Sequence, residues 1–560
     1  MKGQMGDTAR RLSAAFLALA LLIGALPGTN WTAAPTDPDL AAGDYALVQV
    51  AHGTAGAVAA EATADGATDV AALDKLDLVT ARLSPEALRS LRNDPRVSYL
   101  AADAVVKASG QEDHFERGKA RPSPGVQVVD ANQAWSGATG RGVSVALMDT
   151  GIAQHPDLED SVVARVDFVN DGATLLDPSG HGTFVAGLIA AHGRTFRGVA
   201  PDAKLVSLRV LDQNGRGTMH AVLAAFDWLL RNRTAMHIKV LNLSFGAPQR
   251  SSYHRELLAG VVESAWFAGV TVVAAAGNDG PALGTVAMPG ADPFVITVGS
   301  FADQGTLATN DDRESIFSSR GPTRDGFAKP DVLAPGEHIV SLRVPGTALD
   351  REAADVASAG PYARLTGTSA STAMAAGAAA DVLEAHGAYS PTQVKGALIA
   401  GGRRIVGTRT PGLDVDDALS ARPARVNVGL LPSRVLLRLL AANGNVFVGN
   451  CRGSLGAVRH LCSVHTAVSC RCALSDSSRS SATIGRLASL NAVVVVTSGS
   501  LSREKSQANA ALIRPGRAVI TTTWVAMKSA SSMLCVIHRI VLPVLRHIAR
   551  ISSCKSSRVC

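Results

Sequence analysis

Two spacings of apolar residues alternate along the middle of this chain. Residues 143–148, 204–210, 238–243, 270–276 and 294–298 are short, nearly continuous apolar runs, and each predicts a strand buried on both faces. Between such runs the spacing lengthens. Met219, Val222, Leu223, Phe226, Leu229 and Leu230 fall at i, i+3, i+4, i+7, i+10 and i+11 behind Thr218, which predicts a helix over 218–232 opened by a threonine cap. Sustained over about 280 residues, this alternation predicts an α/β fold: a parallel sheet with helices on both faces and a ligand site beyond the C-terminal strand ends. No repeat of solenoid or propeller length runs through it.

Upstream the pattern changes. Residues 45–50 alternate as a strand, Ser84 and Pro85 open a helix as a cap and first-turn proline should, and 97–100 read as another strand, so residues 44–107 predict a small α+β unit. Residues 111–124 carry the charges and prolines of an exposed, cleavable connection. At the start, Lys2, Arg10 and Arg11 precede an apolar run over 12–26. That order fits a secretory signal cleaved between 25 and 34 and a secreted, extracellular protein; the run is short for the alternative, an uncleaved anchor. The expected organisation is therefore a signal over 1–34, a linker and small domain over 35–120, a large domain over 121–420 and a remainder over 421–560.

Composition matters most for that remainder. Hydrophobic residues are 47% and charged residues 18% of the 560, which excludes a disordered or collagen-like chain. The net charge of +7 would suggest a polyanionic partner, but 421–560 holds 19 Lys and Arg against two acids, Asp476 and Glu504. The first 420 residues are acidic, with 45 acids against 35 bases, and no nucleic-acid partner is expected. All the cysteines lie in the tail as well, at Cys451, Cys462, Cys470, Cys472, Cys535, Cys554 and Cys560. Nothing upstream can thus rest on a disulfide, a thiolate metal site or a cysteine nucleophile, and Cys470-Arg471-Cys472 lacks the spacer of a zinc knuckle. Three readings of the tail stay open: a cationic module holding the protein on a membrane or cell wall, a disulfide-linked accessory domain, or out-of-frame translation of a GC-rich gene. The tail is expected to be dispensable for catalysis.

Candidate chemistry falls where the fold would put a site. Asp149-Thr150-Gly151 ends the first core strand; Gly180 to Gly187 (GHGTFVAG) puts His181 at the mouth of a small-residue helix; Gly367 to Ser371 (GTSAS) puts Ser369 at another helix start. A serine hydroxyl is a poor nucleophile at neutral pH and needs a base within hydrogen-bond reach, the role for His181. A buried carboxylate, Asp149, would fix the tautomer of that base and stabilise its charged form. The oxyanion formed on attack needs fixed donors, which the Asn278 amide in AAAGN and the Ser369 N–H would supply.

The order Asp, His, Ser, with DTG, HGTFVAG, AAAGN, GTSAS, VLNLSFG around Ser244, FSSRGP and KPDVLAPG, resembles the subtilisin-like serine proteases over about residues 44–420. The stretch LSPEALRSLRNDPRVSYLAADAVV resembles their inhibitory propeptides. The resemblance implies a secreted endopeptidase acting on proteins or peptides, with its own propeptide as inhibitor. It implies that Ser244, Phe245 and Gly246 pair with substrate backbone and that Ala275 and Gly277 form a wall of the primary specificity pocket, whose floor the motifs leave unassigned; a large apolar side chain is expected there. Ala370 and Ala373 stand where the family commonly has Met and Pro, and both suit a helix. No cofactor is needed for the chemistry and no metal ligand is assigned: a structural calcium is unsupported, because the loop from His192 to Arg197 has two arginines and no carboxylate. Serine-carboxyl peptidases share such a sheet but use a glutamate base and an aspartate at the oxyanion, against which His181 and Asn278 speak. The remaining alternative is a secreted scaffold or surface-binding protein that keeps the fold without the chemistry.

Overall fold

In the computed structural model, residues 37, 40–109, 124–352, 361–433 and 436 are described, together with six backbone strands between 445 and 537. The signal segment and the connection over 111–123 lie outside the described residues. The chain divides into a first unit, Met1–Leu436, and a second, Leu437–Cys560.

The first unit begins with a small lobe: strands β1 (Tyr45–Val50), β2 (Thr68–Leu73), β3 (Leu78–Arg82) and β4 (Val97–Ala102), and helices α1 (Ala55–Ala64) and α2 (Pro85–Asn93). The strands form one antiparallel sheet in the order β2-β3-β1-β4. Leu88 and Leu91 from α2 and Val58 and Ala62 from α1 join Val48, Val79 and Leu100 in its core. The expected cap is present, Ser84 Oγ accepting from Ala87 N at 3.0 Å with Pro85 in the first turn. A further strand, β5 (Val105–Ala108), leaves the lobe and pairs with the body.

The body is built on β6 (Ser144–Asp149), β7 (Val162–Asp167), β8 (Lys204–Arg209), β10 (Ile238–Leu243), β12 (Thr271–Ala275), β13 (Ile296–Ala302), β14 (Arg313–Glu314) and β15 (Val332–Pro335), with the short β9 (Arg216–Thr218) and β11 (Phe245–Gly246) off its upper edge. The sheet runs β14-β13-β12-β10-β6-β8-β7, with β15 beside β13, and every pairing but β13–β14 is parallel. Apolar runs without alternation are what such a twice-covered sheet requires. The helices that cover it include α3 (Ala131–Ala134), α4 (His181–Ala190), α5 (Met219–Asn232) and α6 (Leu257–Phe267). Farther along come α7 (Ala348–Glu352), the hairpin β16 (Ile339–Leu342) and β17 (Tyr362–Leu365), α8 (Thr368–Ala385), α9 (Pro391–Ala400) and α10 (Val415–Ser420).

The five expected strands and the helix over 218–232 are all present, within two residues or so at most ends. One detail differs. Thr218 occupies the N-cap of α5 but its side chain makes no capping bond; the cap comes from the lobe instead, where Asp103 Oδ1 accepts from His220 N at 3.0 Å. A carboxylate at the positive end of the helix dipole outcompetes a hydroxyl for those N–H groups.

Helix α8 is the axis of the body. All residues from Thr368 to Leu383 are buried, almost all of them small, and such a chain can lie in contact with β10, β12, β13 and β15 on one side and α4 on another. Ala370 and Ala373 are fully buried within it. After α10 the described residues up to Ser433 return to the body, where Ser433 N donates to Glu263 of α6. In the second unit the described strands form three antiparallel pairs: Asn445–Arg452 with Ala457–Ser463, Ser469–Arg471 with Ser481–Thr483, and Thr522–Ala526 with Met533–Ile537. Among the described residues no helix is long and apolar enough to cross a membrane.

Candidate active site

Asp149 ends β6, at the C-terminal edge of the sheet. Its Oδ1 lies 2.7 Å from His181 Nδ1 and also accepts from Thr150 N at 2.7 Å. His181 is the first residue of α4, and both side chains are buried. The preceding Gly180 has φ +90°, and a Cβ there would lie 2.7 Å from Thr347 Oγ1, so conformation and space both require glycine. Burial pulls the His181 pKa down, but the Asp149 charge and hydrogen bond outweigh it and hold the imidazole above its ordinary value. Its other nitrogen, Nε2, is buried and has no hydrogen-bond partner among the described residues.

Ser369 is the second residue of α8, so its N–H is one of the unpaired donors at the helix start. That N–H donates to the Ser109 carbonyl oxygen at 3.1 Å, and the Ser369 hydroxyl donates to the same oxygen. The hydroxyl also lies 3.4 Å from Ser244 O. It is thus engaged with the Ser109 carbonyl and makes no hydrogen bond to His181. Asn278 stands beside them with its Oδ1 accepting from Thr368 N (3.1 Å) and Thr368 Oγ1 (2.9 Å). Those two bonds fix which end of the amide is the acceptor, Oδ1, and hence which is the donor, Nδ2.

Ser109 arrives on β5, which lies between β9 and β11 and is antiparallel to both. Val105, Val106 and Lys107 pair with Thr218, Gly217 and Arg216; Lys107 and Ala108 pair with Gly246 and Phe245. Ala108 N donates to Gly215 O and Ser109 N to Ser244 O, each at 2.8 Å. Ser244, Phe245 and Gly246 thus lie along β5, an extended segment of this same chain, and meet it through the backbone. Ala275 closes β12, and Gly277 follows with φ +106°. A Cβ at Gly246 would sit 2.9 Å from the Ala287 methyl and one at Gly277 3.5 Å from it. Both glycine segments thus come close to Ala287.

Sequence reasoning also missed Ser109, Thr368 and Asp177. Thr368 precedes Ser369 in the motif, which was a usable signal. Asp177 lies four residues before His181, with no composition or spacing cue of its own. Among the described residues no group of three or more His, Cys, Asp or Glu is arranged to hold a metal ion.

Comparison with known proteins gives the family. Residues 140–407 match the model of the subtilase family, Peptidase S8. The serine protease AprX of Bacillus subtilis (strain 168) is 35% identical over 336 residues, 58% of this chain and 73% of that one. The chain belongs to the subtilase family. It is a subtilisin-like serine endopeptidase, and its substrates are proteins or peptides. The alkaline protease of Alkalihalobacillus alcalophilus is similarly related, 35% identical over 328 residues, 58% of this chain and 74% of its own. In fold, this subtilase is similar to fervidolysin from Fervidobacterium pennivorans, described as a keratinolytic enzyme related to subtilisin, at a TM-score of 0.55 and 22% identity over 81% of this chain and 69% of that one. The family match spans Asp149, His181, Asn278 and Ser369 but not the N-terminal lobe.

Proposed function

We propose that this subtilase is a secreted zymogen that cuts its own chain between Ser109 and Gly110, and that Asp149, His181 and Ser369 are its catalytic triad. The observation that carries the reading is the Ser109 carbonyl oxygen, held by Ser369 N–H at 3.1 Å at the end of a backbone-paired strand. Ser369 Oγ attacks the Ser109 carbonyl carbon while its proton passes to His181 Nε2, the buried nitrogen otherwise without a partner among the described residues. The carbonyl electrons move onto oxygen, where Ser369 N–H and Asn278 Nδ2 stabilise the charge. Collapse breaks the Ser109–Gly110 bond, and His181 gives its proton to the Gly110 nitrogen. Water then cleaves the acyl-enzyme by the same relay, leaving a carboxylate on Ser109. Asp149 orients the imidazole and compensates its charge throughout.

The cleaved lobe would remain as an inhibitor, since β5 keeps its strand pairing. Other contacts support this: Asp103 bonds His220 N and lies 2.6 Å from His220 Nδ1, and Lys75 N donates to Asp227 Oδ1 at 2.7 Å. Before the cut the lobe is tethered, so the effective concentration of its C-terminal strand at the site is high, which favours self-cleavage. Lys2, Arg10, Arg11 and the apolar run after them support export.

Purified Ser369→Ala precursor should stay uncleaved, whereas the wild type should yield a mature chain whose first residue is Gly110 and whose Ser369 reacts with a fluorophosphonate. Efficient processing of Ser369→Ala without another protease would overturn self-cleavage. A first cut elsewhere in 111–124 would overturn the Ser109 assignment.

A further inference from the structure

The loop ahead of α4 holds a carboxyl group that the triad does not use. Asp177 is fully buried. Its Oδ1 accepts from Thr150 Oγ1 and Gly180 N, each at 2.8 Å, and its Oδ2 accepts from Thr183 N at 2.8 Å and Thr183 Oγ1 at 2.6 Å. Both hydroxyls are themselves acceptors, Thr150 Oγ1 from Gly182 N and Thr183 Oγ1 from Ala153 N, each at 2.9 Å. Their own hydrogens are thus left for Asp177. Four donors on two oxygens fill the sites of a carboxylate, and a protonated acid would point its hydrogen at a donor. Burial pushes the Asp177 pKa up, and these bonds pull against it.

The bonds join three segments. Thr150 follows Asp149, Gly182 follows His181, and Thr150 Oγ1 links both to Asp177. The backbones are in direct contact: a Cβ on Gly151 would overlap the Leu176 carbonyl oxygen, and one on Gly182 the Gly151 carbonyl oxygen. Among the described residues, the charges acting on His181 are those of Asp149, from β6, and Asp177; Ser369, from α8, is neutral.

We propose that Asp177 is a positioning residue for the catalytic histidine: a buried anion that locks the Asp149 turn to the His181 turn through Thr150 and Thr183, and places a second negative charge behind the imidazolium formed during acylation. The inference rests on the triad reading above. In the ground state the clamp fixes the angle at which His181 Nε2 meets the serine; in the transition state the charge adds to that of Asp149.

The test uses the mature enzyme and a peptide substrate, with kcat, KM and the pH profile of kcat/KM read for Asp177→Asn and Thr150→Val. Asp177→Asn should lower kcat roughly 10²-fold with KM nearly constant, and should move the acid limb of the profile down by about one pH unit, because the imidazolium loses a neighbouring anion. Thr150→Val keeps the anion but cuts the link, so kcat should fall with the acid limb in place. Folded Asp177→Asn with an unmoved acid limb, or with wild-type kcat, would overturn the proposal. Should Asp177→Asn fail to fold, Thr150→Val decides, and a wild-type kcat there overturns it. Failure of the wild-type Ser369 to react with fluorophosphonate would sink the triad itself, whereas equal labelling rates in wild type and Asp177→Asn would sink only this inference.

Discussion

Asn278 can point its amide in one direction only, because Thr368 donates twice to its oxygen. The donor end is thereby set before any substrate binds, and preorganised donors act without reorganising as charge develops. Asn278→Ala is expected to lower kcat by about 10²–10³-fold, the size known for losing one oxyanion donor in subtilisin, with KM almost unchanged. Steady-state kinetics on the mature enzyme check this, and a wild-type kcat would assign the role to another group. At this scale the sequence was most readable where chemistry needs a particular side chain. Asp149, His181, Ser369 and Asn278 could be proposed for the site because each polar role asked of them is one that few residue types fill. Ala287 could not, since a methyl close to both Gly246 and Gly277 has no signature until the fold brings the three together.

Elements were legible in proportion to their length and periodicity. The core strands and α5 follow from apolar spacing, because a twice-covered sheet and an amphipathic helix leave patterns several residues long. The three-stranded ribbon of β5, β9 and β11 left none: its strands have four, three and two residues and draw on positions more than a hundred residues apart. Helix α8 hides a different feature. Asp381 is fully buried within it, and among the described residues both carboxyl oxygens lack a hydrogen-bond partner. Burial, reinforced by Glu384 and Asp202, raises its pKa well above the ordinary value. Well below pH 4 the group is protonated in both folded and unfolded chains, so its ionisation adds no penalty. As pH rises the unfolded chain releases the proton and the folded one keeps it, so stability is lost toward the folded pKa. In a Ser369→Ala background, which prevents self-digestion, Asp381→Asn should raise Tm relative to its parent by an amount small at pH 4 that grows toward pH 8. A Tm difference constant with pH would show that ionisation of Asp381 is not the cause.

At the scale of the whole molecule, composition and packing place the end of the catalytic body differently. Acids become scarce after residue 420, which suggests a boundary there, yet the first unit runs to Leu436. The reason lies far upstream in sequence. Glu263 on α6 is fully buried, and burial with Asp292 beside it raises its pKa. Its carboxyl group is satisfied by Ser433, whose N–H lies 2.9 and 2.8 Å from the two oxygens and whose hydroxyl donates at 2.6 Å. Asn427 Nδ2 donates to Phe294 O at 2.9 Å, and Tyr253 OH to Leu431 O at 2.7 Å. No local pattern could announce a strap whose partners lie 170 residues away. Truncation after Arg425 would remove every one of these groups and leave Glu263 without its donors, a loss of about 1–3 kcal/mol or more for a buried polar group. In the Ser369→Ala background this should lower Tm by several °C or more. Truncation after Leu436 keeps the strap and should leave both Tm and, in the active enzyme, kcat/KM at their full-length values. Thermal melts of the two truncated chains against the full-length protein decide the matter: equal Tm for all three would make the strap irrelevant to the body, and a fall on truncation after Leu436 would give the second unit a structural role.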